Sequence, residues 1–452
     1  MYRLASTFSL RPIAVILLSW LLAAPAATSI AQINIRAREA DRFVGSMGIN
    51  VHMEYAGTPY QNYAAINEKL QALGMRHFRD EINDTTPSFV DEIDSIGKLG
   101  YSLCGLIAGG NDYPAPGQRL EADLVVPMIH NLQPTIEAVE GPNEPDNKSF
   151  LYDGTQYPKG AIQEAKDLSK IVKGSSEISA LPVIVLSEGN AQDFTTLAAI
   201  TPPPIDYATY GNMHAYQGGG LADQGLADFY IPYSRDLTGK DSLWTTEMGY
   251  HNNTKYLGGG EQQGVSQRAA AIYLPIAFLS GFGHGVLRTF SYELVDEAND
   301  PHLIGRSGEG HYGILNYDLT PKPAYTALKN LVSLLQDPSR ENFIPGSLTV
   351  TFSGAPGTMR YTLLQKSMGT YYLALWNDVS VYEVATKKVA GKDLYPSNTP
   401  VTLSFSTENT FTVYAPNDAT GTNPTTKYTI SASPNAIALN LPPHVLLLEI
   451  QP

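Results

Sequence analysis

Ile136-Glu137-Ala138-Val139-Glu140-Gly141-Pro142-Asn143-Glu144-Pro145-Asp146 reads as a short strand that carries an amide and a carboxylate into a turn. Its apolar residues, Ile136, Ala138 and Val139, have no helical spacing. Gly141 and Pro142 end the strand, and Pro145 fixes the turn behind Glu144. A surface turn with a solvated glutamate has the same local pattern, because three residues recur by chance. A second carboxylate separates the two readings. Glu247, in Leu243-Trp244-Thr245-Thr246-Glu247-Met248-Gly249, also closes a β-prone run just before a glycine. Two carboxylates, each at a strand exit, are the minimum apparatus for cleaving a glycosidic bond.

Around these two points the chain alternates strand and helix. Strands are expected at Gly48–His52, Met75–Asp80, Tyr101–Ile107, the opening stretch, Pro182–Leu186, Tyr207–His214, Ser242–Thr246 and Gly285–Phe290. Between them, helical spacing runs through Tyr63–Leu73, a helix opened by Thr86-Pro87, Leu120–Leu132, Ala161–Val172, Asp193–Ile200, Leu226–Leu237, Ser266–Leu279 and Ala324–Leu335. Eight alternations with strands apolar along their length argue for a parallel sheet covered on both faces. The span suits an α/β fold of the closed (β/α)8 TIM-barrel type over 32–340. No Gly-x-Gly-x-x-Gly follows a strand, which weakens the dinucleotide-binding alternative.

After Pro338 the period changes. Short alternating runs at Leu348–Phe352, Arg360–Leu364, Tyr371–Trp376, Val401–Phe405, Thr410–Tyr414, Ile437–Leu441 and Val445–Ile450, separated by Gly, Pro and Asn, predict a C-terminal β-sandwich over 341–452. Residues 1–31 read as a signal peptide. Arg3 and Arg11 precede or flank the apolar run Ile13–Leu22, and Ser29-Ile30-Ala31 has the small-x-small form of a cleavage site. The expected location is therefore secreted or periplasmic, with no stable membrane insertion once the leader is removed. A formal charge of −14 disfavours nucleic acid and anionic membranes and is compatible with an uncharged polysaccharide. The single cysteine, Cys104, lies in an apolar run and reads as a buried thiol.

Residues at the carboxyl ends of barrel strands meet at one mouth. There fall His52, Arg79 with Asp80, Asn143 with Glu144, His214 with Tyr216, Glu247, and Tyr292 with Glu293. Each has a plainer reading: an Arg79–Asp80 ion pair, a structural His52, a polar loop start at His214, a loop-holding Glu293. Glu140 and Glu188 carry less weight, since nothing complementary flanks them. No His-x-His or His-Glu-x-x-His spacing points to a metal, and no Gly-x-Ser-x-Gly to a serine nucleophile. No cofactor or metal is expected.

Asn143-Glu144-Pro145, His214-Ala215-Tyr216, Glu247, Ser291-Tyr292-Glu293-Leu294-Val295-Asp296 and the stretch from Tyr312-Gly313-Ile314-Leu315 to Pro323-Ala324-Tyr325 together resemble the clan A retaining glycoside hydrolases, some families of which append a small C-terminal β-domain. In those families the N-terminal segment often joins that domain, which would place Ile33–Ile35 there. The resemblance implies Glu144 as acid/base and Glu247 as nucleophile. It also implies Asn143 as a contact to the sugar 2-hydroxyl, and Arg79 and Tyr216 as partners of the nucleophile. Many clan members carry a tryptophan platform after the eighth strand; here Tyr292 stands nearest. The expectation is a retaining glycosidase acting on a poly- or oligosaccharide. A transglycosylase using the same residues, and a non-catalytic carbohydrate-binding barrel, are the alternatives. The second usually lacks one of the two carboxylates, and both are present.

Overall fold

The computed structural model describes residues 32–451 apart from 84–85, 108–114, 148, 191–192, 257–261, 301, 304–306, 340–341, 417–425, 429–431 and 434. The expected leader and the expected boundary at 340/341 lie outside the described residues.

Eight parallel strands occur in sequence order: Met47–Asn50, His77–Glu81, Ser102–Leu106, Ile136–Glu140, Val183–Ile184, Gly211–His214, Leu243–Met248 and Arg288–Ser291. The eighth pairs with the first, Phe290 opposite Gly48. The fifth and sixth meet through the Ile184–Tyr210 bridge, where Val185 N donates to Tyr210 O at 3.1 Å, so the ring closes. Inside it, Cys104, Ala138, Ile184, Trp244 and Phe290, from five different strands, pack as one apolar plug. Gly48 makes room for it: a Cβ there would sit 2.4 Å from the Phe290 ring. Cys104 Sγ lies 3.8 Å from Glu140 Oε2. Burial and that carboxylate hold the thiol well above its ordinary range, so it stays protonated.

The helices begin and end where their residues dictate. Tyr63–Leu73 is capped by Asn62, whose Oδ1 accepts from Ala65 N at 3.4 Å, and stops at Gly74 with φ +74°. The expected helix at Leu226–Leu237 is less regular than its periodicity suggests. A wide π turn, Leu226–Tyr230, precedes Ile231–Thr238, because Pro232 has no N–H for the carbonyl four residues back. The helix Gln267–Gly283 is buried almost all round, and its surroundings explain why it has no polar face. The barrel covers one side and the sandwich the other. Val381 N donates to Tyr273 Oη at 2.9 Å, and Arg268 Nη1 donates to Leu394 O at 3.2 Å. Among the described residues no helix is long and apolar enough to cross a membrane.

The C-terminal strands form two antiparallel-rich sheets. One contains Ser347–Ser353, Thr399–Phe405 and Ala436–Leu441; the other contains Met359–Gln365, Tyr371–Asn377, Leu446–Gln451 and Thr410–Ala415. Their inward residues, such as Val350, Leu363, Leu373, Leu403, Val413 and Leu448, share one core. Gln32–Arg36 joins this sandwich antiparallel to Ser347–Ser353, with Ile33 opposite Val350.

Candidate active site

At the carboxyl ends of the strands, Arg79 is the hub. Its Nε and Nη2 donate to Glu140 at 2.8 and 3.0 Å, Nη1 donates to Glu247 Oε1 at 2.7 Å, and Nη2 also reaches Asn143 Oδ1 at 2.8 Å. The expected plain pairing of Arg79 with Asp80 is therefore not what forms; Asp80 instead accepts from Met53 N at 3.1 Å. Buried charges demand partners, and the Arg79 guanidinium, 4% exposed, has carboxylates on two edges. Burial opposes its charge, but Glu140 and Glu247 outweigh that and raise its affinity for the proton.

Glu247 is held from both sides. Tyr216 Oη donates to its Oε2 at 2.6 Å, while Arg79 takes Oε1. Glu144 is reached differently. Gly141 lets the chain turn close to the third strand, where a Cβ would meet Ile107 O at 2.4 Å, and Glu144 then adopts φ +41°, a region non-glycine residues seldom occupy. Its backbone N donates to Ser187 Oγ at 3.2 Å, Asn147 Nδ2 donates to its Oε2 at 3.0 Å, and Oε1 lies 2.6 Å from His214 Nδ1. The other ring nitrogen of His214 is 3.1 Å from Thr246 Oγ1, which in turn reaches Glu140 Oε1 at 3.0 Å. Burial alone would lower the His214 pKa, yet Glu247, Glu140 and Glu144 raise it to about 9. Burial likewise works to raise Glu140, but Arg79 and His214 hold it down to about 2. One oxygen each of Glu144 and Glu247, with a His214 nitrogen, lie within 4.8 Å of one another.

Arg79, Asn143, Glu144 and Glu247 open onto a cavity of about 210 Å³, lined also by His52, Tyr55, Asp80, Glu81, Tyr292 and Glu309. His52 stacks on Tyr55 with 4.3 Å between centroids, and burial next to Arg79 pushes it down to about 3, so it is neutral. Tyr292 packs edge-on against His52, Tyr216 and Tyr312 and donates to Glu309 Oε1 at 2.8 Å. Burial, only partly offset by that bond, raises Glu309 to about 7. Glu293 does not line the cavity. It is fully buried, accepts from Tyr60 Oη at 2.9 Å and lies 3.5 Å behind His52 Nε2.

The structure thus brings together Arg79, Asn143, Glu144, His214, Tyr216 and Glu247, with His52 and Tyr292 on the cavity wall and Glu293 in a supporting position. Sequence reasoning undervalued Glu140, whose complement Arg79 stands on another strand, and missed Glu309 and Thr246. Thr246 directly precedes Glu247, so its place on the seventh strand was a usable signal; Glu309 opens a single 3-10 turn, Glu309–His311, too short to show a period, and offered none. Besides Glu144–His214–Glu247, three further groups have metal-ligand geometry among the described residues: His52–Glu54–Asp80, His52–Glu293–Glu297 and Asp146–Glu188–Asp193.

No family profile matches the sequence, and no curated protein matches it. Solved structures do resemble it. A family 39 glycoside hydrolase from Bacteroides cellulosilyticus WH2 is similar at TM-score 0.62 and 16% identity, covering 92% of this chain and 82% of its own. A monomeric β-xylosidase from Caulobacter crescentus CB15 gives 0.58 and 14%, covering 92% and 98%. The catalytic domain of the GH30 xylanase C from Talaromyces cellulolyticus gives 0.53 and 13%, covering 92% and 98%. At such identities the likeness is one of fold, and the chain shares with these proteins the (β/α)8 barrel with its appended β-sandwich.

Proposed function

We propose that the protein is a retaining O-glycoside hydrolase, with Glu247 as nucleophile and Glu144 as acid/base. The observation that carries this reading is the carboxylate pair facing one cavity, with oxygens within 4.8 Å of each other. Inverting enzymes separate their carboxyl groups by roughly 6.5–9.5 Å to admit a water, whereas retaining enzymes hold them about 5–5.5 Å apart. The solved structures of similar fold, described as a glycoside hydrolase, a β-xylosidase and a xylanase, support the same class.

The two carboxylates have the surroundings their roles need. Arg79 and Tyr216 each donate to one oxygen of Glu247 and aim it at the anomeric carbon. Glu144 and His214, 2.6 Å apart, hold a proton between them, and that proton goes to the leaving oxygen. In the second step the pair takes a proton back from water, which attacks the glycosyl–Glu247 ester and returns Glu247 to its carboxylate. With Oδ1 of Asn143 occupied by Arg79, its amide nitrogen is left to donate to the 2-hydroxyl.

The cavity is the size of a single sugar ring, and its charges select against anions. Arg79, among the described residues the one lysine or arginine lining it, is committed to Glu140, Glu247 and Asn143. The reacting sugar is therefore one without a carboxylate. With the leader at 1–31, we place the enzyme outside the cytoplasm, secreted or periplasmic.

The test is a screen of polysaccharides and aryl glycosides, followed by early-time proton NMR of the released anomer. Retention is expected, with Glu144→Ala keeping activity on leaving groups that need no protonation and responding to azide. Glu247→Ala should fail on every substrate. Initial release of the inverted anomer, or covalent trapping on Glu144, would overturn the assignment.

A further inference from the structure

Beside the acid/base loop three carboxylates converge that take no part in the chemistry above. Asp146 is two residues past Glu144, Glu188 follows the fifth strand, and Asp193 opens the helix Asp193–Ile200. One oxygen from each lies within 4.8 Å of the others, the greatest separation that two ligands of a common ion at about 2.4 Å can have. Glu188 is 0% exposed. Its Oε2 accepts from Tyr157 Oη at 3.1 Å, but among the described residues no donor reaches Oε1, a carboxylate oxygen held inside the protein among acids. Among the described residues no lysine, arginine or histidine pairs with any of the three. Asp146 and Asp193 are half-buried, so the cluster is reachable from solvent.

We propose that Asp146, Glu188 and Asp193 bind a hard divalent cation of the calcium type. The donor set is all oxygen, with no thiolate or imidazole, and the carboxylates supply the charge that such an ion requires. The rest of its shell is left for water. The ion fastens the loop after the fourth strand to the loop after the fifth. Asp146 already accepts from Gly189 N at 2.9 Å and Asn190 N at 2.8 Å. Asn190 Nδ2 reaches Asn147 Oδ1 at 3.0 Å, and Asn147 holds Glu144 Oε2 at 3.0 Å. A cation at this place is therefore a brace two residues from the acid/base carboxylate. The ligands come from chain segments more than 40 residues apart in sequence, 146 against 188, so no local spacing announces them. The competing account is a proton: burial and Asp146 push Glu188 up to about 10, and the neutral acid would then donate to Asp146.

The two accounts part under calcium titration of the full-length protein after stripping with EGTA. Calorimetry with CaCl2 should show one site of sub-millimolar Kd, and the melting temperature should rise by a few degrees in 10 mM CaCl2. Glu188→Gln, which keeps the shape of the neutral acid, should match the stripped wild type in melting temperature and lose the calcium response. Asp193→Asn, at a half-buried helix start, should weaken binding at least tenfold and serves if Glu188→Gln does not fold. No heat and no thermal shift up to 10 mM CaCl2 would overturn the proposal. So would an unchanged response in both variants, which would put the ion elsewhere. Neither readout involves turnover, so the result is independent of the glycosidase assignment.

Discussion

Tyr216 Oη and Arg79 Nη1 grip opposite oxygens of Glu247, at 2.6 and 2.7 Å. Tyr216 is the more revealing partner, because it can be removed without leaving a buried charge. A hydrogen bond to a charged group contributes about 1.5–3 kcal/mol. If Glu247 attacks the sugar, Tyr216→Phe should lower kcat about 10- to 100-fold and leave KM within a few-fold. Steady-state kinetics on an aryl glycoside decides this, and a variant with wild-type kcat would remove Tyr216 from the mechanism.

Stability should fall at both ends of the pH scale for separate reasons. His214 holds its proton to about 9 in the fold, above its ordinary 6.5. Its contribution is full below pH 6.5 and disappears as pH rises through 9. Glu140 sits at about 2, below its ordinary value, so its contribution is full above pH 4.5 and is lost as pH falls through 2. The gap in unfolding free energy between wild type and His214→Asn should therefore narrow by about 3 kcal/mol between pH 6 and pH 10. Urea unfolding across that range measures it. A gap that stays constant would mean that His214 is not charged in the fold.

Gly141 should tolerate no side chain. A Cβ there would lie 2.4 Å from Ile107 O, and the backbone that must shift carries Asn143 and Glu144. Gly141→Ala should lower kcat by roughly 100-fold, the scale expected for a displacement of about 1 Å, together with a drop in melting temperature. Gly174→Ala is the control. It ends the helix Lys159–Gly174 with open space around the added methyl, so activity should be unchanged.

Substrate charge offers a further check. Among the described residues the cavity presents Asp80, Glu81, Glu144, Glu247 and Glu309, and Arg79, which is already committed to carboxylates. An aryl xyloside or glucoside should be cleaved at least ~10³-fold faster than the matching aryl glucuronide, whose carboxylate would stay unpaired. Comparable kcat/KM values would show that the acids are not where the sugar binds.

Much of this arrangement was legible in the sequence. Strand exits can be read from apolar runs closed by Gly, Pro or polar residues, and in a barrel every such exit faces the same mouth. That logic placed Glu144, Glu247, His214, Tyr216 and Arg79 together before any coordinates. What it could not supply was pairing between strands. On the residues alone Arg79 has the plain reading of an ion pair with its neighbour Asp80, and only the family resemblance aims it at Glu247; in space it answers Glu247 and also Glu140. Glu293 was expected at the mouth because it follows the eighth strand, but it turns back toward Tyr60. Glu309 opens a single 3-10 turn, too short to show a period, so no pattern announced it.

The attachment of Gln32–Arg36 to the sandwich constrains the order of assembly. Asn34 Nδ2 reaches Thr349 Oγ1 at 3.1 Å across 315 positions of sequence. In an unfolded chain, closing so long a loop costs about 5 kcal/mol from its length alone, more than one edge strand can return. Once the barrel has formed, most of that distance is already spanned by folded structure, and the strand has only to dock. The first of the described residues to leave the ribosome are thus among the last to find their place, and they latch a barrel that is already built.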